Sequence, residues 1–388
     1  MITTAVGAPA REQTRARYPN QEGFVERGGV RVFYEVYGEG EPTVLLLPTW
    51  SIIHSRHWKA QIPYLARHTR VVTFDGRGNG RSDRPDAEAA YSEREFAADA
   101  IAVMDATGTE RVFLVALSAG AMWATLLAAH HPERVEGVVA IAPAVPFAHH
   151  VARAKHPFDA RLDQHDAWAK YNRFFWLEHY EDFLQFFFGE AFSEPHSTKQ
   201  IEDAVGWARE TTPETLALTY TGRELSDPDE FDALCRGIRC PVLVLHGDDD
   251  RIRPLDGGQA YAEAAGGELV VLEGSGHLPH ARDPVRVNLL LREFVAAAPP
   301  PRRWPRGRGR RKRALYLSSP IGLGHARRDI AIARELRLLE PDLEIDWLAQ
   351  HPVTAALEAA GERVHPASRD LANESRHIES ESAEHDLH

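Results

Sequence analysis

Short apolar runs separated by amphipathic stretches recur along most of the chain. Residues 44–47, 70–74, 112–116, 135–141, 241–245 and 268–272 are apolar and rich in Val, Leu and Ile. Most of them are continuous rather than alternating, the pattern of strands covered on both faces. Between them lie helical stretches: residues 91–105, with Phe96, Ile101 and Met104 among the apolar positions; the Ala/Leu-rich run after Ser118; and residues 256–265 and 285–298. Ser92 and Glu95 stand at capping-box spacing. Ahead of these, Phe24-Val25 and residues 30–36, broken at residues 38–42, read as antiparallel strands joined by a Gly-containing turn. The alternation predicts an α/β fold with a mostly parallel, doubly wound sheet.

The rhythm breaks between about 144 and 236. That segment lacks strand-like runs but carries Trp168, Tyr171, Phe174, Phe175, Trp176, Tyr180, Phe183, Phe186, Phe187, Phe188 and Phe192. Phe175, His179, Phe183 and Phe187 fall at four-residue steps, predicting one face of a single helix. A helical insertion is expected, with most of these rings packing its interior and some facing an apolar substrate pocket.

The net charge of −12 conceals a division. Residues 299–313 carry eight basic side chains and no acid, so a basic Pro/Arg linker follows an acidic body. Nothing in that body suggests a nucleic-acid groove, and the run is read as a solvated tether. Residues 1–22 lack an apolar periodic pattern and are expected to form a flexible leader without the apolar core of a secretory signal. No apolar run approaches the roughly 20 residues of a membrane span. Two cysteines, Cys235 and Cys240, are too few for a disulfide framework and suit a reducing compartment; a cytoplasmic location is the expectation.

After the linker a second α/β pattern begins: a strand at 314–317, a Gly-rich turn at 318–325, a helix at 326–339, a strand at 343–348 and a helix at 352–361. Arg327 stands where a dinucleotide fingerprint needs its third glycine, and no acid ends the second strand. Two strands and two helices are expected to be too few to bury a stable core alone.

The candidate chemistry starts at Leu117-Ser118-Ala119-Gly120, where an apolar strand turns into a helix. A serine at such an apex needs small neighbours two residues away on each side, here Ala116 and Gly120. It also needs a histidine base and an orienting carboxylate, carried on a parallel sheet by loops leaving strand ends. Asp248, Asp249 and Asp250 follow one late strand, and His277 follows the next. His246 and His280 are rival histidines. His54 and His57 lack a carboxylate or Cys at ligand spacing, so no metal is inferred. Residues 75–82 (Asp-Gly-Arg-Gly-Asn-Gly-Arg-Ser) lack the Gly-Lys-Ser/Thr of a phosphate loop and read as a structural turn.

With the order Ser, Asp, His and the motifs at 75–82, 117–120, 247–254 and 274–277, residues 23–298 resemble the α/β-hydrolase fold, in its esterase, haloperoxidase-like and lactonase-like group. The resemblance implies a helical cap at about 144–236 and a serine hydrolase acting on a carboxylic ester, thioester or lactone without a cofactor, on a small apolar substrate. It implies Ser118 as nucleophile, His277 as base and Asp250 as orienting acid, selected by the Gly247…Asp250…Pro254 spacing. Ser118 at the apex stands against epoxide hydrolysis or dehalogenation, where an aspartate would sit. The oxyanion amides fall on Ala119 and Trp50, although Pro48-Thr49-Trp50 replaces the family's His-Gly-x. That departure leaves a non-catalytic, ligand-binding member as an alternative. Residues 314–388 resemble the opening of a nucleotide-sugar glycosyltransferase, a partial Rossmann-like segment expected to lack transferase activity by itself, or part of a bifunctional enzyme.

Overall fold

The computed structural model describes residues 16–148, 151–295, 312–318 and 323–370. The chain divides into two compact units, residues 1–300 and 301–388. Most of the leader and the basic linker, and part of the Gly-rich turn (319–322), lie outside the described residues.

The first unit is built on an eight-stranded sheet in the order β1-β2-β4-β3-β5-β6-β7-β8. β1 (Gln21–Arg27) and β2 (Val30–Tyr37) form an antiparallel hairpin, and β2 pairs antiparallel with β4 (Arg70–Phe74). All remaining pairings are parallel, through β3 (Thr43–Leu46), β5 (Val112–Leu117), β6 (Val135–Ile141), β7 (Val242–Gly247) and β8 (Glu268–Leu272). The continuous apolar runs become the central strands because helices cover both faces and β-branched side chains fit the pleated interior. The edge strand β8 is only partly covered, and Val271 there is exposed.

The helix Gly120–His130 is apolar all round and buried from Gly120 to Ala128, as a helix inside the core must be. Trp123 on it stacks on Phe96 of the helix Glu93–Ala106, ring centroids 4.0 Å apart. The expected capping box does not form. Ser92 takes the extended N-cap conformation, but its side chain makes no capping bond. Glu95 is drawn away by charge, accepting from Arg27 Nη2 at 2.6 Å and lying 3.1 Å from Arg77 Nη1.

Between β6 and β7 the chain is helical, as expected, but the aromatic face belongs to two helices. His179 is exposed and non-helical (φ −138°), ending Arg173–Glu178 and opening Tyr180–Ala191. The break lets Trp176 fold back on Phe183, 4.6 Å between centroids, a contact that a continuous helix would not make.

The turn at residues 75–82 is bonded to the segments around it. Asp75 Oδ1 accepts from Ser55 N and Oγ (3.1 and 2.6 Å), and Oδ2 accepts from Arg81 N (2.9 Å). Asn79 Nδ2 donates to Ser51 O, and Ser51 Oγ donates to Arg77 O, each at 2.8 Å. Arg77 makes a bidentate pair with Asp99, both bonds 2.7 Å, and both side chains are buried. Arg27 Nε adds a third bond to Asp99 at 2.9 Å.

The second unit holds a parallel three-stranded sheet, β11-β10-β9, from β9 (Arg313–Ser318), β10 (Glu344–Ala349) and β11 (Arg363–Val364). It differs from expectation in its short third strand and in the helix Leu323–Leu339, which starts early enough to take Gly324 and His325 into its first turn. Its small core centres on Trp347, fully buried, stacked on Tyr316 and donating from Nε1 to Glu362 at 2.7 Å.

Deleting one member of a buried pair leaves the other charge uncompensated. Asp99→Leu is therefore expected to destabilise the first unit by about 3 kcal/mol or more, read from the midpoint of chemical denaturation.

Candidate active site

Ser118 follows β5 and has φ 51°, a left-handed conformation uncommon for a residue with a side chain. Its backbone is held on both sides: its amide donates to Ile141 O at 2.9 Å, and its carbonyl accepts from Ala144 N at 3.0 Å. Gly120 makes the turn possible by close approach. A Cβ there would lie 2.6 Å from Pro48 O, whereas it would meet Ala116 Cβ at an ordinary 3.6 Å. The alanine at 116 is thus compatible with the elbow, and the glycine at 120 is the strict position.

Asp250 lies three residues beyond β7, and His277 five beyond β8. They meet because Gly247 lets the 274–277 loop cross directly over it; a Cβ there would sit 2.0 Å from Ser275 O. His277 Nδ1 lies 2.8 Å from Asp250 Oδ2, with both side chains buried. That oxygen also faces His246 Nε2 at 3.1 Å, while Oδ1 accepts the amides of Ile252 and Arg253, each at 2.8 Å. Burial opposes the charge on Asp250, but His277 and His246 outweigh it and hold the carboxyl well below its usual range. Since Asp250 accepts from His277 Nδ1, the Nε2 of His277 is left as the basic nitrogen.

Asp248 and Asp249 occupy the adjoining turn: Asp248 Oδ1 accepts from Gly274 N and Asp249 Oδ2 pairs with Arg251, away from His277. Of the rival histidines, His246 shares the acid, which its place at the strand end did not reveal. Its Nε2 also lies 3.1 Å from Arg253 O, and two acceptors around one nitrogen assign the proton there. His280 turns away to His57, Nε2 to Nδ1 at 3.1 Å, in a fully enclosed pair beside Trp58. Burial, then the charge of His277, pushes His280 down to about 3. Burial, then His280, lowers His57 as well. His54 lies 3.3 Å from Glu210 and 3.7 Å from Asp75. Among the described residues no cluster of three or more His, Cys, Asp or Glu is placed to hold a metal.

Trp50 stands four residues beyond β3. Its indole is buried against Tyr171, Trp176 and Phe187 of the insertion, and Nε1 donates to Thr219 Oγ1 at 2.8 Å. Trp50 and Ala119 line one small cavity together with Glu93, Met122, Thr219 and Arg223. Beside it, sharing Met122 and Arg223, lies a cavity of about 300 Å³ that Ala144, Arg153, Tyr220 and Arg253 also line. None of the aromatics singled out in the sequence lines this larger cavity; Tyr171, Trp176 and Phe187 pack on Trp50, and Phe174 lies under Arg161. Another cavity, about 260 Å³, is bordered by Glu35, Lys59, Asp203 and Trp207 and by none of Ser118, Asp250 or His277.

The family profile described as alpha/beta hydrolase fold matches residues 42–284. The chain belongs to this family. Among α/β-hydrolase relatives, the putative carbamate hydrolase RutD of Variovorax paradoxus is 30% identical over 272 residues, covering 69% of this chain and 97% of that one. Epoxide hydrolase B of Mycobacterium tuberculosis is 36% identical over 169 residues, but the match spans only 42% of either protein. A solved α/β-hydrolase structure, Est816, described as an N-acyl homoserine lactone degrading enzyme, superposes with a TM-score of 0.58 at 26% identity, covering 70% of this chain and all of that one. The family match ends before the second unit begins.

Two outcomes follow. Gly120→Ala drives a methyl into Pro48 O and is expected to cost about 1–3 kcal/mol in denaturation. His57 and His280 resist protonation that the unfolded chain accepts near pH 6.5, so their contribution is complete above that pH and, for His280, is lost as pH falls toward about 3. Between pH 6.5 and 4.5, before the effect of Asp250 enters, stability should fall by up to about 1.4 kcal/mol per pH unit through His280, with His57 acting in the same direction. His280→Gln should flatten that slope in a series of urea titrations.

Proposed function

We propose that the chain is a serine hydrolase cleaving a carboxylic ester, thioester or lactone through an acyl-enzyme. The observation that carries this reading is the 2.8 Å contact of His277 Nδ1 with a fully buried Asp250, at strand ends two and three places along the sheet from the Ser118 elbow. In this reading Ser118 Oγ attacks the carbonyl carbon and passes its proton to His277 Nε2. The tetrahedral oxyanion is received by the amides of Ala119 and Trp50. His277 then protonates the leaving oxygen or sulfur as the carbon–heteroatom bond breaks. A water deprotonated by His277 attacks the acyl-enzyme and regenerates Ser118.

Asp250 fixes the tautomer of His277 and stabilises its positive charge during each transfer. The amides of Ala119 and Trp50 donate to no protein acceptor among the described residues, which supports their assignment to the oxyanion. Each such donor contributes roughly 3 kcal/mol to the transition state. Est816, described as a lactone-degrading enzyme, and RutD, described as a putative carbamate hydrolase, support acyl chemistry.

A fluorophosphonate probe should label the parent chain and fail to label Ser118→Ala. Asp250→Asn should lower kcat on a 4-nitrophenyl ester by about 10⁴-fold while leaving the far-ultraviolet circular dichroism unchanged. Absence of labelling in the folded parent would favour a ligand-binding member without turnover.

A further inference from the structure

The cavity of about 300 Å³ beside the elbow is bounded on its near side by Ala144 and Met122. Ala144 donates its amide to the carbonyl of Ser118, and Met122 lies one helical turn beyond the serine. Two residues that flank the serine thus border this space, which Ser118, Asp250 and His277 do not themselves line.

Its other wall holds three guanidinium groups from separate parts of the chain, Arg153, Arg223 and Arg253. Arg153 lies over the Tyr171 ring at 4.8 Å, and Arg223 over Tyr220 at 5.2 Å and Trp50 at 5.8 Å. Arg253 follows the catalytic acid, and its amide is bonded to Asp250 Oδ1. Among the described residues neither Arg223 nor Arg253 forms an ion pair with a carboxylate. Two acids beside this region are committed elsewhere: Asp250 to its histidines and amides, and Glu93 Oε2 to the amides of Glu224 and Leu225 at 2.7 and 3.3 Å. Glu93 borders only the smaller neighbouring cavity.

Like charges gathered in a partly closed space repel, and burial together with Arg153 and Arg223 brings Arg253 down to about 9. At neutral pH Arg253 still carries positive charge. A bound anion would relieve the repulsion, and the planar guanidinium fork suits a carboxylate held at two points.

We propose that this cavity is an anion subsite and that the substrate is an ester, thioester or lactone whose acyl portion ends in a carboxylate. The proposal rests on the serine-hydrolase reading for the reaction, but the binding it describes does not depend on turnover. Apolar Met122, Ala144 and Leu225 suit the hydrocarbon linker, and the arginines suit its charged end.

The test compares mono-4-nitrophenyl adipate with 4-nitrophenyl hexanoate, two acyl chains of equal length that differ in the terminal carboxylate. The full-length parent should show kcat/KM at least about tenfold higher for the adipate, carried mainly by KM. Arg223→Gln and Arg253→Gln should each lower that preference by about tenfold, and Arg223→Lys should restore part of it. In parallel, free adipate is titrated into Ser118→Ala, followed by tryptophan fluorescence; Arg223→Gln in that background should weaken binding by about tenfold. Hexanoate turnover without adipate preference, or a preference unmoved by both glutamine variants, overturns the subsite. Arg223-dependent adipate binding with no turnover of either ester supports the subsite and overturns only the hydrolase reading.

Discussion

The first unit depends on a close approach between two loops, Gly120 lying bare against the carbonyl of Pro48. This contact sets the distance between the turn that presents Ser118 and the segment that leads to Trp50. Behind that segment, Ser51 is bonded to Asn79 and to the carbonyl of Arg77, and Arg77 ends in the buried pair with Asp99. A line of direct contacts thus runs from the edge of the candidate site to a charge pair in the interior. The glycine-rich turn, which superficially resembles a phosphate loop, is part of this support. Its polar groups are spent on holding the neighbouring loop.

The loop at Pro48-Thr49-Trp50 is anchored from both sides. Trp50 packs against Tyr171, Trp176 and Phe187, and its indole nitrogen is bonded to Thr219, so the insertion holds the loop from above. Aromatic pairs at such separations contribute about 0.5–1.5 kcal/mol each beyond the area they bury. The loop is accordingly fixed by packing from the insertion and by hydrogen bonds from the 75–82 turn.

The parts of this architecture that were legible in the sequence are those written in local pattern. Continuous apolar runs located the central strands, and the acids and His277 stood out because strand ends on a parallel sheet are where loops converge. What escaped was decided by contacts between distant residues or by competition for a partner. Ser92 and Glu95 have capping-box spacing, yet arginines at 27 and 77 claim the carboxylate. Four-residue steps through His179 fit a helix, yet packing of Trp176 on Phe183 accompanies a break there. His57 and His280 are 223 residues apart in the chain, and Arg153, Arg223 and Arg253 lie in three separate segments, so neither grouping has a linear signature. His246 looked like part of a strand end, and it is the next-to-last residue of β7; only the curl of the following turn brings Asp250 back beneath it.

The crowding around Asp250 has a consequence for how the pair is assembled. The carboxylate is gripped by two amides of its own turn and by His246, in addition to His277. The loop that carries His277 crosses over Gly247 and is tied to the same turn, through Gly274 N to Asp248 Oδ1 at 2.6 Å and Asp249 N to Ser275 O at 3.1 Å. The acid and the histidine therefore hang from one bonded scaffold, and the meeting of their side chains is set by the backbone before either ring or carboxylate is placed.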